Sequence, residues 1–104
     1  MTPNTETELA GAVKAAAAKG QRLRIRGGGT RSRLGRPVEA DETLSTTGLT
    51  GISLYEPGAL TIVAAAGTPV AEIKAALNAE GQRLPFEPMD HSGLLGSEGE
   101  PTIG

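Results

Sequence analysis

The chain combines one hydrophobic periodicity typical of helices with another typical of strands. Within residues 9–17 the apolar positions lie three or four apart, and a Thr5–Glu8 capping box precedes them. This spacing predicts a first helix that ends at Gly20, where a left-handed cap belongs. Residues 21–26 then alternate apolar side chains with arginines, which predicts a strand.

The middle of the chain predicts a hairpin and a second helix. Segments 52–55 and 60–66 read as strands around Glu56-Pro57-Gly58, where proline suits the first turn position and Gly58 the positive φ angle. Thr68 is expected to cap the next helix, with Pro69 as its first residue. Apolar residues recur at helical spacing after this proline, and a glycine at position 81 ends the pattern.

The remaining pattern fixes the expected fold class. A short strand is predicted at 44–46, whereas 82–104 is rich in proline and glycine, so 89–104 in particular is expected to be extended loop. Helices that alternate with strands indicate an α/β protein, with α+β as the alternative. The expected architecture is two helices packed on a small sheet with a β-hairpin.

The amino-acid composition argues against several classes of function. The 104 residues include no cysteine and one histidine, so neither a disulfide framework nor a protein-built metal site is expected. No apolar run is long enough for a membrane span, and an isoelectric point near 5.4 argues against general nucleic-acid binding. Most of the apolar residues are small, so the core should be thin and should leave apolar surface exposed near the chain end.

Positive charge is nevertheless concentrated in one segment. Residues 22–36 contain six arginines and no acidic residue. Within this segment, Arg26-Gly27-Gly28-Gly29-Thr30-Arg31-Ser32 directly follows the predicted strand. Glycines allow successive backbone N–H groups to converge on an anion, and the hydroxyls and guanidiniums add donors and charge. The motif suits a pyrophosphate, although it lacks both the ending of a P-loop and a following helix; the alternative is a plain turn.

Several motifs in order resemble a known family. Leu23 to Thr30 (LRIRGGGT), Tyr55 to Gly58 (YEPG), Ala66 to Pro69 (AGTP), Gly81 to Pro88 (GQRLPFEP) and Pro101 to Gly104 (PTIG) are similar to the N-terminal segment of vanillyl-alcohol oxidase type FAD-linked oxidases. These oxidases carry an FAD-binding PCMH-type domain, and the FAD-binding subunits of bacterial glycolate oxidases are the most similar. The resemblance covers nearly the whole chain, and the order of the motifs is more specific than any one of them.

The resemblance implies that residues 1–104 form the first subdomain of a two-part FAD-binding domain. It implies an oxidoreductase that oxidises a 2-hydroxy acid by hydride transfer to FAD, with this chain inactive alone and without a catalytic residue. Position 30 is threonine where some relatives attach FAD through histidine, so any flavin should be non-covalent. The implied cofactor-binding residues are Arg26, Gly27, Gly28, Gly29, Thr30, Arg31, Ser32, Pro88, Thr102, Ile103 and Gly104.

Two alternatives stay open at the level of sequence. One is a non-catalytic subunit-interaction module without flavin, and the other is a binder of phosphate-containing ligands. The expected partners are FAD and either other subunits of a glycolate oxidase-like complex or further copies of the chain, in the cytoplasm or peripheral to the inner face of the membrane. Among single residues, Phe86 is expected in the core, His91 exposed without a role, and Tyr55 as an anchor of the hairpin.

Overall fold

The computed structural model describes residues 1–104, with all side chains except that of residue 92. Its helices are α1 (Glu6–Ala18), α2 (Val70–Ala79) and the single turn α3 (Ser92–Leu95). Its strands are β1 (Leu23–Arg26), β2 (Glu42–Ser45), β3 (Ile52–Glu56) and β4 (Thr61–Ala64). The prediction of an α/β fold with two main helices and a hairpin is confirmed.

The first helix begins and ends where its sequence signals lie. The Glu8 amide donates to Thr5 Oγ1 at 3.1 Å, and the Glu8 carboxylate accepts from the Asn4 amide at 2.7 Å. These two bonds satisfy donors that the first turn leaves free. At the other end Gly20 takes a φ of +63°, and the Gln21 amide donates back to the Ala16 carbonyl at 2.9 Å. A left-handed glycine therefore stops α1, as its sequence predicts.

The strands form two separate two-stranded sheets. β1 and β2 run parallel, with Leu23 opposite Glu42 and Arg26 opposite Ser45. β3 and β4 run antiparallel, with Tyr55 opposite Ile62. A parallel pair needs a long crossover, which is usually a helix. Here the crossover is the irregular segment 27–41, so the glycine-rich motif leaves directly from the carboxyl end of β1.

An exposed ion pair fastens the start of the parallel sheet. Asp41 Oδ2 accepts from the Arg22 amide at 2.8 Å, and Asp41 Oδ1 accepts from Arg22 Nη2 at 3.2 Å. These hydrogen bonds from Arg22 lower the pKa of the Asp41 carboxyl below its usual range. A carboxyl with a depressed folded pKa contributes stability above its unfolded pKa, and this stability is lost as pH falls through the folded pKa.

We therefore expect Asp41→Asn to lower the midpoint of urea unfolding at neutral pH. Below the folded pKa of Asp41 the wild-type carboxyl is neutral as well, so the two proteins should converge in acid. Urea titrations followed by circular dichroism at several pH values measure the difference. A difference that persists unchanged in acid would show that the charge of Asp41 is not its cause.

The hairpin turn differs from its prediction in the residue that takes the left-handed conformation. Residues Pro57–Ala59 form one turn of 3-10 helix, and Leu60, not Gly58, has a positive φ of 52°. The proline starts a tighter helical turn than expected, which shifts the reversal two residues later. Tyr55 does anchor this turn: its hydroxyl donates to Gln82 Oε1, and Gln82 Nε2 donates to the Pro57 carbonyl.

The start of α2 is also one residue later than predicted. The helix begins at Val70, with Pro69 in the capping position. The Thr68 side chain does not cap it, because its hydroxyl accepts from the Gly51 amide at 3.0 Å and donates to the Gly51 carbonyl at 3.2 Å. Thr68 is fully buried. It therefore ties the hairpin to the helix, which is a tertiary role that local spacing does not reveal.

The core is thin, as expected. Its buried apolar side chains are Ala16, Leu44, Val70, Ile73 and Leu77. The Cα radius of gyration is 15.6 Å, whereas a compact domain of this length has about 13 Å. Phe86 is 55% exposed, so its predicted place in the core is wrong. Large apolar side chains are exposed elsewhere too, as the composition implies, including Ile25, Leu34 and Val38.

The last segment folds back along the molecule. Most of residues 89–104 is irregular, and Ser92–Leu95 form a helical turn. Thr102 then bridges to Pro69, the Val70 amide donates to the Pro101 carbonyl at 2.9 Å, and the Gly104 amide donates to the Ala66 carbonyl at 2.9 Å. These bonds hold the segment 100–104 between α2 and the glycine-rich loop.

Candidate functional site

A cleft of about 610 Å³ opens at the carboxyl end of β1. Its walls are the end of β1, the loop 27–38 and the tail residues Pro101, Thr102 and Gly104. The charged side chains that line it are Arg24, Arg26, Arg31, Arg33 and Arg36, and none of the described side chains that line it is acidic. The cleft is therefore a region of positive potential in a protein with a net charge of −2.

Two glycines let the tail segment approach the loop closely. A Cβ on Gly28 would lie 1.8 Å from the Glu100 carbonyl oxygen, and a Cβ on Gly27 would lie 2.6 Å from Thr102 Oγ1. Both distances are far below van der Waals contact, so any side chain here would push the tail and the loop apart. The tail residues Glu100 and Thr102 therefore occupy part of the space that side chains at positions 27 and 28 would need.

The third glycine has a different neighbour. Gly29 has a φ of +75°, and a Cβ at this position would lie 2.5 Å from Arg26 Nη2 and 2.6 Å from Arg26 Nε. The Arg26 guanidinium therefore lies across the loop at Gly29. A side chain there would be strained and would displace the guanidinium. The loop consequently carries a positive charge directly beside its backbone.

The loop also presents unused backbone donors. Within the described part of the chain, the amides of Gly28, Gly29, Thr30 and Arg31 donate to no protein acceptor. Gly28, Gly29 and Thr30 are half-buried or buried, and backbone N–H groups in such places are almost always paired, so free donors beside a guanidinium favour an anionic ligand. Thr30 is only 6% exposed and fixes the middle of the loop.

Arg31 is engaged by the segment that faces the loop. Its Nε donates to His91 Nδ1 at 3.0 Å, and its Nη2 donates to the Met89 carbonyl at 3.2 Å. His91 Nδ1 also lies 3.2 Å from the Met89 carbonyl oxygen, so both the ring and Arg31 contact the same carbonyl group. His91 is therefore half-buried and bonded, which corrects the expectation that it is exposed without a role.

Two further bonds join the same segment to the loop. Arg33 Nη1 donates to the Leu95 carbonyl at 3.3 Å, and Ser97 Oγ donates to the Thr30 carbonyl at 2.9 Å. Together with the Arg31 bonds, they position residues 89–97 along one side of the glycine-rich loop. Arg31 and Arg33 thus help to fix the shape of the cleft and also contribute to its positive charge.

The structure brings together most of the residues that the sequence assigns to a cofactor. The cleft is lined by Arg26, Gly27, Gly28, Gly29, Thr30, Arg31, Ser32, Thr102 and Gly104. Pro88 and Ile103 do not line it. Pro88 is half-buried elsewhere, and the Ile103 amide donates to the Thr68 carbonyl at 3.0 Å, so Ile103 holds the tail in place.

The sequence interpretation missed the far wall of the cleft. Arg24 lines the cleft together with Arg33 and Arg36. The available signal was the arginine run without an acidic residue, which continues to position 36. Ile25, Leu34 and Val38 also line the cleft, and no pattern in the sequence distinguishes them from other exposed apolar residues.

Other kinds of site find no support in the described residues. Among the side chains that the structure describes, no group of three histidine, cysteine, aspartate or glutamate residues could hold a metal ion. None of the described helices has the length and apolar character that crossing a membrane requires. The arginine-lined cleft therefore remains the principal candidate site.

Comparison with known proteins gives two matches. The family model described as FAD binding domain matches residues 1–97. Glycolate oxidase subunit GlcE from Escherichia coli (strain K12) is 46% identical over 66 residues, which is 64% of this chain and 19% of that protein. The matched stretch is thus about a fifth of the length of this relative. No solved structure matches the chain significantly.

The cleft has the chemistry that FAD requires of its pyrophosphate site. Free N–H donors, a guanidinium across the loop and the absence of acidic side chains from the described lining all favour a diphosphate. The family match covers almost all of the chain and includes the whole glycine-rich loop. The chain therefore belongs to the FAD binding domain family, and FAD is its cofactor.

Proposed function

We propose that this chain is the FAD-binding portion of a glycolate oxidase-like flavin oxidoreductase that oxidises a 2-hydroxy acid. The observation that supports this most is the cleft, whose described lining combines five arginines and four free backbone donors with no acidic side chain. Its walls coincide with the motifs that resemble the family. The similarity to a glycolate oxidase subunit supports the substrate class.

The cofactor would be held by the glycine-rich loop and by the tail. Arg26 and the amides of Gly28 to Arg31 would bind the diphosphate, and Gly27 and Ser32 complete the loop. Thr102 and Gly104 would line the end of the cleft next to this loop, whereas Ile103 and Pro88 would contribute to cofactor binding without lining the cleft. The flavin is held non-covalently in this proposal, since position 30 is threonine and the loop contains no histidine.

Bound FAD would supply the hydride acceptor for oxidation at the α-carbon of the acid. The role of this chain is to bind and orient the cofactor through fixed charge and backbone donors. No side chain in the cleft is assigned to the carboxylate or the hydroxyl proton of a substrate. We therefore infer that the reaction takes place in an assembly to which other subunits or further copies of the chain contribute the substrate site. This assembly would lie in the cytoplasm, either free or peripheral to the inner face of the membrane.

Titration with FAD tests the binding step directly. We expect wild-type protein to quench or shift flavin fluorescence, and Arg26→Gln to weaken binding about 10- to 100-fold, since hydrogen bonds to charged groups contribute roughly 1.5–3 kcal/mol. Arg83→Gln is the matched control, because Arg83 is exposed and does not line the cleft. Equal loss in both variants, or no binding by wild type, would contradict the proposal.

A second experiment, on the isolated chain and on the purified assembly, tests the reaction. Glycolate added without oxygen should leave the flavin absorbance of the isolated chain unchanged. It should bleach the flavin absorbance of the assembly purified from the source cells. Failure to bleach the assembly would exclude glycolate as the substrate while leaving FAD binding intact.

A second candidate function is a subunit-interaction module without flavin. A groove of about 720 Å³ runs along α1 and is lined mainly by apolar residues, among them Leu9, Val13 and Leu49. Val13 is 45% exposed, so this helix face is unpartnered in the monomer. If FAD produced no spectral change and sizing showed a multimer, this function would replace the first.

A further inference from the structure

A single hydroxyl group supports the glycine-rich loop from outside the cleft. Ser97 Oγ donates to the Thr30 carbonyl at 2.9 Å. Thr30 lines the cleft and Ser97 does not, so the hydroxyl contacts the loop on the side away from the cleft. Thr30 is buried and Ser97 is half-buried, which shields this bond from water. The bond therefore fixes the direction of one carbonyl group in the loop.

The direction of this carbonyl sets the direction of the next amide. The peptide bond between Thr30 and Arg31 is planar and trans, so its N–H points opposite to its C=O. Because the carbonyl is turned toward Ser97, the Arg31 N–H is turned toward the cleft. Within the described part of the chain the Arg31 amide donates to no acceptor, so this donor is available to a ligand.

The Thr30 carbonyl depends on Ser97 more than its neighbours in the loop depend on the tail. The Gly29 carbonyl accepts from the Ser32 amide at 3.3 Å, so a bond within the loop orients the preceding peptide. No described backbone amide donates to the Thr30 carbonyl. Without the Ser97 hydroxyl the Thr30–Arg31 peptide is free to turn its carbonyl oxygen toward the cleft. An oxygen in that position would repel an anionic ligand.

The segment that carries Ser97 is held in place by other bonds as well. Arg31 Nε donates to His91 Nδ1 at 3.0 Å, and Arg33 Nη1 donates to the Leu95 carbonyl at 3.3 Å. Neither bond involves the Ser97 side chain. Removal of the Ser97 hydroxyl should therefore leave the segment beside the loop and change mainly the peptide that this hydroxyl orients.

We infer that Ser97 is a positioning residue of the anion site, whose hydroxyl turns the Arg31 amide toward the diphosphate. This inference rests on the proposed function, because it takes the position of the diphosphate from it. Ser97 contacts no ligand itself and acts through the peptide bond between Thr30 and Arg31. The Arg31 amide donates to a phosphate oxygen, so Ser97 contributes to the affinity for any ligand whose diphosphate enters the loop.

Two variants of nearly equal shape test the hydroxyl. Ser97→Thr keeps the donor, so it should bind FAD and inorganic pyrophosphate as wild type does. Ser97→Val lacks the donor and should bind both ligands about 10-fold more weakly, since one hydrogen bond to a charged group is lost. Fluorescence titration measures FAD, and displacement of FAD measures pyrophosphate. Ser53→Ala is the matched control, because Ser53 Oγ donates to the Val63 carbonyl at 3.4 Å and lies outside the cleft.

Amide resonances measured by NMR separate positioning from a general loosening of the loop. In wild type and in Ser97→Thr, saturating pyrophosphate should move the Arg31 amide proton downfield. In Ser97→Val the amides of Gly28 and Gly29 should still respond to pyrophosphate, whereas that of Arg31 should not. If all three responses were lost together, Ser97 would only keep the loop folded, and the inference would be wrong.

The outcomes also distinguish this inference from the proposed function. If wild type does not bind FAD, the proposed function fails and the inference fails with it. If wild type binds FAD and Ser97→Val binds it equally well, the inference alone is wrong. Equal weakening in Ser97→Thr and Ser97→Val would show that the size of the side chain matters and its hydroxyl does not, which would also overturn the inference.

Discussion

Gly67→Ala is expected to lower the melting temperature by roughly 10–25 °C. A Cβ on this buried residue would lie 1.9 Å from the Thr46 carbonyl oxygen and 2.8 Å from the Leu49 carbonyl oxygen. Overpacking in a filled interior costs about 1–3 kcal/mol, and a backbone contact this short belongs at the upper end. Each kcal/mol corresponds to about 4–8 °C in a domain of this size.

The surroundings of Gly67 leave little room to adjust. Its own amide donates to the Leu49 carbonyl at 2.8 Å, so a shift away from that oxygen breaks a buried hydrogen bond. The next residue, Thr68, is pinned to Gly51 by two further bonds. The strain therefore falls on the junction between β2, the hairpin and α2, where the thin core lies.

Thermal unfolding followed by circular dichroism measures the effect. Gly58→Ala is the matched control, because no atom lies within 4 Å of a Cβ at Gly58 and its φ is not left-handed. The control should melt within a few degrees of wild type. A similarly small change in Gly67→Ala would mean that the junction relaxes around the methyl group, contrary to our expectation.

Local signals predict much of this fold. The capping box at Thr5 and the left-handed glycines at positions 20 and 81 act through bonds to residues no more than five positions away. Such interactions depend on the sequence nearby, so they can be identified without a structure. The strand β1 is equally clear, because arginines and apolar residues alternate along it.

Tertiary contacts explain the errors. Thr68 is of a residue type that commonly caps helices, but its hydroxyl binds Gly51, 17 residues earlier in the chain. Leu60 takes a left-handed conformation that the sequence assigns to Gly58, because the 3-10 turn moves the reversal. Phe86 is exposed although it is the only phenylalanine, since the core is filled by smaller residues from α1, β2 and α2.

In the candidate site, too, local features can be predicted from sequence and tertiary contacts cannot. The glycine-rich loop and its arginines are evident from sequence, since they form one continuous segment. The partners of the loop lie far along the chain: Arg31 binds His91 across 60 positions, and Ser97 binds Thr30 across 67. A single sequence contains no signal for such pairs, and the tail that covers Gly28 is hidden for the same reason.

Gly28→Ala should produce the opposite result from Gly67→Ala: a folded protein that loses its ligand. A Cβ on Gly28 would lie 1.8 Å from the Glu100 carbonyl oxygen, so either the tail or the loop must move. The tail is held by the bonds from Val70 to Pro101, from Ile103 to Thr68 and from Gly104 to Ala66. Between residues 28 and 31 the described loop backbone accepts two local bonds, at the Gly29 and Arg31 carbonyls, and one from Ser97 Oγ at the Thr30 carbonyl. These bonds leave its amides unpaired, so we expect the loop to shift rather than the tail.

The displaced loop would carry Arg26 and the free amides away from the positions in which they would bind the diphosphate. We expect FAD affinity to fall at least ~100-fold, since several charge-assisted bonds of roughly 1.5–3 kcal/mol weaken together. Fluorescence titration gives the affinity, and circular dichroism should show helix content close to that of wild type. Gly93→Ala is the matched control in the facing segment, because a Cβ there meets nothing within 4 Å. If Gly28→Ala bound FAD as tightly as this control, the cofactor would not depend on the loop conformation, and the glycines would serve only the packing of the tail.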